Sequence, residues 1–186
     1  VRQDNSKLQQ LAALGSLQYL PGYRPVIFYF ASVYAYTAQH FMANNGISRP
    51  IAADNAAFYN QLALKGYRAV EAIFGEDPAL CQYQGIVLAR QGHNDQAIAE
   101  LKRALAISQR KPASHQTVYL IYGLLRGLYN QKGMLQSAAE AGRQEVFYLK
   151  KVLKAENSPG LEKYERLIDA IITWQQILLN LGDTAD

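Results

Sequence analysis

The chain has 186 residues, of which 49% are hydrophobic and 18% charged, and a net charge of +4. That suits one domain with a proper core, while a charge so small and scattered is too diffuse to point to a nucleic-acid binder, although the basic pI near 9.1 is compatible with one. A single cysteine, Cys81, excludes both an intrachain disulfide and a zinc cluster of cysteines. Val1 in place of Met is the start expected of a processed protein or a piece of a longer one.

Helix signals run from end to end. No sustained period-two alternation and no Asn-Gly hairpin between β-branched runs occurs, so the expected class is all-α, with eight helices. Ser6 with Gln9 forms a capping box for a first helix to about Tyr19, stopped by Pro21 and Gly22. Pro25 opens a second, to about Asn44, without Lys, Arg, Asp or Glu between Arg24 and Arg49. Tyr29, Tyr34, Tyr36, Gln39, His40 and two asparagines make it a poor membrane span. A helix apolar on most sides is expected in the middle of a bundle; an aromatic partner surface and membrane contact are the weaker alternatives.

The NNGISRP segment separates this helix from a third, about Asp54 to Phe74, closed by Gly75. A fourth helix to Gln91 and a fifth from Asp95 to Gln109 flank a turn at Gly92, and the loop RKPASHQ follows. The sixth helix spans Ser114 to Lys132 and ends at Gly133; the seventh continues to about Glu156. In NSPG, Ser158 can cap and Pro159 suits the first helical position of a last helix to Gly182. There Leu161, Tyr164, Ile168, Ile171 and Leu178, with Leu167, Trp174 and Leu181 beside them, form a broad stripe expected to seal the core.

Residues Pro78 to Lys111 form a 34-residue unit with Gly85, Leu88, Gly92, Ala97, Leu101 and Ala104 at fixed offsets. This unit resembles a tetratricopeptide repeat, whose pattern places small, large, Gly and again small and large residues at those offsets. Half of an earlier repeat fits, with Ala63, Tyr67 and Val70; its first helix would have to cross Gly46 and Pro50, at about 3 kcal/mol for an interior proline. After an insertion of seven residues, Pro112 to Val118, the pattern resumes at Leu125, Tyr129, Gly133 and Ala138. It fails at Gly142 and Glu145, where a large apolar and a small residue belong. The resemblance covers about residues 59 to 140.

It implies a right-handed superhelix of antiparallel helix pairs whose first helices line a concave groove for a peptide or partner helix. The implied groove positions are Ala79, Gln82, Ile86, Ala89 and Arg90, then Leu120, Gly123, Gly127, Asn130 and Gln131. Two glycines one turn apart inside a helix, each costing about 0.5–1 kcal/mol relative to alanine, need a reason. Either another helix of this chain packs closely there, or a ligand does. The family's carboxylate clamp is missing, so an amphipathic helix or apolar peptide is the expected ligand.

Catalytic chemistry is not expected. His40, His93 and His115 occur singly, Cys81 falls at a packing position, and the Glu76–Asp77 pair precedes a helix start, where carboxylates complement the dipole. The basic groups Lys102, Arg103, Arg110 and Lys111, and Lys150, Lys151 and Lys154, read as dipole-facing or solvated. No metal or cofactor is implied. The expectation is a single domain with N-terminal helices over 1–54, a repeat core over 55–156 and a capping helix over 157–186. Its expected role is a scaffold or adaptor binding a protein or peptide, within a larger assembly. The alternatives are an accessory domain of a larger enzyme or membrane protein, and a carrier of a small apolar ligand.

Overall fold

The computed structural model of the protein describes residues 23–43, 49–111, 113–156 and 159–183. The described residues hold seven helices and no strand: α1 Tyr23–Ala43, α2 Arg49–Phe74, α3 Pro78–Arg90, α4 Asn94–Arg110, α5 His115–Gln131, α6 Leu135–Ala155 and α7 Leu161–Asp183. The all-α class is therefore as expected. The expected helix over Ser6 to Tyr19 and the expected cap at Ser158 lie outside the described residues. The chain divides into two compact units, Val1–Glu76 and Asp77–Asp186.

In the first unit, α1 packs on α2 through small side chains. Ala31, Ala35 and Ala38 recur at helical spacing and are buried, as are Ala52, Ala56 and Ala63 of α2. A Cβ on Gly66 would lie 2.8 Å from that of Ala31, so the two backbones approach as only glycine permits. Rings close the rest of the seam: Phe28 and Tyr67 lie 5.7 Å apart, Phe41 and Tyr59 5.6 Å. Tyr67 shares a 3.2 Å hydrogen bond with Ser32.

Two expectations change here. Helix α2 starts at Arg49 rather than Asp54, because Pro50 sits in its first turn, where the missing N–H is not needed. It then runs unbroken for 26 residues, leaving no turn to create the first helix of an earlier repeat. Ala63, Tyr67 and Val70 are buried, but the ring that meets Tyr67 comes from α1. Helix α1, in turn, is not covered on most sides: Val33 and Tyr36 are exposed opposite the alanines, Tyr36 by 69%, and Met42 is exposed near the end of the helix.

The second unit consists of two helical hairpins and a last helix. Asp77 caps α3, its carboxylate accepting from the Ala79 N–H at 2.8 Å, and Pro78 opens the helix. Ser114 caps α5 by accepting from the Thr117 N–H at 3.1 Å. Three-residue turns join α3 to α4 and α5 to α6, and each pair packs along its length, so each is antiparallel.

The two turns share one hydrogen-bond pattern. Gly92, at φ 78°, donates to the carbonyl of Ala89 at 3.0 Å, and His93 donates to that of Leu88 at 3.0 Å. Gly133, at φ 69°, donates to Asn130 at 3.0 Å, and Met134 donates to Tyr129 at 2.9 Å. Each residue of the second set stands 41 positions after its counterpart. A left-handed residue after a helix costs little only as glycine, and the paired back-bonds satisfy carbonyls the helix end leaves open.

Helix α5 also packs on α3 and α4, and α7 packs on α6. The face α7 buries is Ala170 and Ile177, with Leu167, Trp174 and Leu181 partly covered, while Leu161, Tyr164, Ile168 and Leu178 are exposed. The broad stripe expected to seal the core is thus split. A helix whose neighbours all lie on one side buries only the part of its apolar arc that faces them.

Candidate partner-binding groove

The packing of α3 beside α5 brings the two predicted sets of groove residues onto adjacent helices. They do not share one environment. Gln82 is buried, and Leu120 packs against the cluster of Tyr119, Leu149 and Val152. A Cβ on Gly123 would lie 2.7 Å from Oε1 of Glu145, so that glycine makes room for a carboxylate of α6. On Gly127, a Cβ would meet nothing within 4 Å.

The paired glycines therefore have different physical origins. Packing within the chain accounts for Gly123 and leaves Gly127 without such a reason. Ile86, Ala89 and Gly127 are half-buried, and Arg90, Asn130 and Gln131 are exposed. Half-buried small or apolar positions, Ala79, Ile86, Ala89 and Gly127, thus share the predicted row with the exposed polar groups of Arg90, Asn130 and Gln131.

Beneath Gly123 lies an arrangement the repeat pattern does not contain. Arg126 of α5 donates from Nε to Oε2 of Glu145 at 2.7 Å, with the two side chains only 19% and 12% exposed. A Cβ on Gly142 would stand 3.1 Å from Cδ of Arg126 and 3.0 Å from Cδ1 of Trp174, so the arginine stem and the indole both crowd onto that glycine. In the first hairpin, a Cβ on Gly85 would lie 2.8 Å from Cγ of Leu101. Arg126 stands 41 residues after Gly85, and Gly142 41 after Leu101. Large and small have changed helices. Gly142 and Glu145 look like failures of the pattern in the sequence, and Arg126 is the compensating residue that inspection of those two positions alone misses.

Further along the same hairpin an aromatic group caps the α5–α6 seam. Tyr122 and Tyr148 stack at 5.8 Å, His115 lies 5.9 Å from Tyr148, and Lys151 sits 4.5 Å over Phe147 and 5.2 Å over Tyr148. Burial pushes the Tyr122 hydroxyl above the ordinary tyrosine range, helped by Tyr148 and Glu140. Hydrogen bonds from Arg143 and Gln144 hold the Glu140 carboxyl below its ordinary value.

The remaining candidates stand apart. His40, His93 and His115 are exposed, the last two at helix starts, and the Cys81 thiol is buried. Asp77 is a cap rather than only a dipole partner. Among the described residues, no three His, Cys, Asp or Glu side chains gather where a metal ion could be held, and no helix is long and apolar enough to cross a membrane.

Compared with protein-family models, curated proteins and solved structures, the chain matches none.

Proposed function

We propose that the protein is a non-catalytic interaction module, a tetratricopeptide-like scaffold or adaptor that holds a partner helix or apolar peptide against α3 and α5. In this proposal the two hairpins are successive repeats of a right-handed superhelix, α3 and α5 are their first helices, and the module serves as a subunit of a larger assembly. The shared turn, repeated at an offset of 41 residues, supports the repeat. The observation that carries the binding role is Gly127. It is an interior helical glycine that no neighbouring atom of the chain requires, on a helix that packs on α3.

The predicted row is mostly small or apolar and Arg90 is its sole charge, so an acidic tail fits it less well than an amphipathic helix. The test is affinity capture from the source cell with the wild-type protein and a Gly127→Trp variant. A Cβ at this position meets nothing within 4 Å, so the variant is expected to keep the wild-type helicity, checked by circular dichroism, and to lose the specific partner. Capture of the same partners in the same amounts by both proteins would remove the groove from consideration.

A further inference from the structure

Helix α7 is apolar around more than half of its circumference, and only part of that arc is covered. One part rests on α6: Leu167 reaches the cluster of Tyr119, Leu149 and Val152, and Trp174 covers Gly142. The other carries Leu161, Tyr164, Ile168, Ile172 and Leu179, which are 74%, 46%, 56%, 57% and 63% exposed. At 3.6 residues per turn these five fall within a stripe about 80° wide, interrupted only by Gln175. Single exposed apolar residues are ordinary, whereas a continuous row along the whole helix marks a surface that is covered in use.

The charges on the helix indicate what covers it. Glu162, Glu165 and Asp169 outnumber Lys163 and Arg166 in its first half, and residues 170–182 carry no charge at all. A helix lying on an anionic membrane is rich in Lys and Arg on its polar face, which this one is not. Four of the five residues of the apolar row also form two pairs symmetric about the level of Ala170. Leu161 and Leu179 stand nine residues to either side of that level, and Ile168 and Ile172 two residues to either side.

We propose that the occupant is a second copy of this chain, its α7 laid antiparallel on the first. In that pairing Leu161 meets the partner copy's Leu179, Ile168 meets Ile172, and Tyr164 comes level with Gln176. Each acidic half then faces an uncharged one. Parallel pairing would instead set Glu162 and Glu165 beside their own copies, a repulsive arrangement. A specific interface buries about 800 Å² on each partner. A 23-residue helix about 34 Å long reaches that area only by contact along its full length, which the symmetric register provides. This face is separate from the groove of α3 and α5, and the pairing does not depend on a partner being bound there.

Sedimentation equilibrium of the full chain tests the pairing. A monomer–dimer equilibrium is expected for the wild type, with association weakened roughly 100-fold in Ile172→Glu, since each interface buries that side chain twice. Ile172 is exposed in one copy, so the helicity of the variant should match the wild type. Register is read by oxidising single-cysteine variants, because the native Cys81 is buried. Leu161→Cys mixed with Leu179→Cys should form the mixed disulfide, and Leu161→Cys alone should not link to itself. A wild type that stays monomeric into the high micromolar range overturns the proposal. So does an Ile172→Glu variant that dimerises like wild type, or a Leu161→Cys protein that readily links to itself.

Discussion

The hairpin of α3 and α4 closes its interface with Leu101 over Gly85, in an interior of Ala97, Ala104 and Leu88; the hairpin of α5 and α6 closes the equivalent place with Arg126 over Gly142 and Glu145. The backbone turns are the same, bond for bond. What the packing requires at this crossing is one large and one small side chain, and it does not dictate which helix supplies which. A charged large residue must then bring its own counter-charge, since an unpaired charge with this little exposure is costly. Glu145 meets that need, and Gly123 leaves space for its carboxylate.

The largest expected effect tests the charged half of the contrast. Arg126→Leu or Glu145→Leu alone should destabilise the protein by about 3 kcal/mol, because each strands the other charge. The double substitution should recover most of that loss, and urea unfolding of the four proteins gives the coupling directly. If the two losses simply add, the pair is not a unit and the contrast between the hairpins fails.

Glycine substitutions give smaller effects of opposite sign. Gly85→Ala should cost about 1–3 kcal/mol, because the new methyl meets Leu101 at 2.8 Å. Gly127→Ala should instead stabilise by about 0.5–1 kcal/mol, since the methyl meets nothing within 4 Å and alanine is the better helix former. Thermal melts of both variants check the signs. A destabilised Gly127→Ala would mean that the face at Gly127 is occupied by the chain itself.

The smallest effect belongs to Tyr122, whose counterpart 41 residues earlier in the first hairpin is the buried Cys81. Its folded-state pKa lies above the ordinary value near 10. As the pH rises from that value towards the raised one, the unfolded chain has already lost a proton that the fold still holds, so folding becomes less favourable. The stability of the wild type relative to Tyr122→Phe should therefore be constant below the ordinary tyrosine range and fall above it. A flat difference across that window would remove the burial of this hydroxyl from the account.

Much of the hairpin geometry was legible along the chain. Gly92 and Gly133 mark the turns, Asp77–Pro78 and Ser114 mark helix starts, and the small row of Ala97 and Ala104 marks an interior, because each signal acts within a few residues of itself. Pro50 was misread as a breaker, since a proline opening a helix and one ending it differ only in where the helix begins. Of the predicted groove, Gln82, Leu120 and Gly123 turn out to be held by the chain's own packing or buried, and the other positions stay at least partly accessible. Nothing local to Gly123 could announce Glu145, which lies 22 residues away on another helix.

The amino-acid sequence by itself determined the helical class, the turns between paired helices and the apolar positions available for burial, because backbone hydrogen bonding, capping and φ preference are settled between near neighbours. Only the tertiary structure decided which apolar positions are used. Helix α7 carries enough of them to face either way, and packing on α6 covers Trp174 and Ile177 while leaving Leu161, Ile168 and Ile172 bare. The same holds for the exchange at Arg126 and Gly142. Burial and charge pairing are properties of surfaces brought together from distant parts of the chain, and a periodicity within one helix cannot say which surface will meet them.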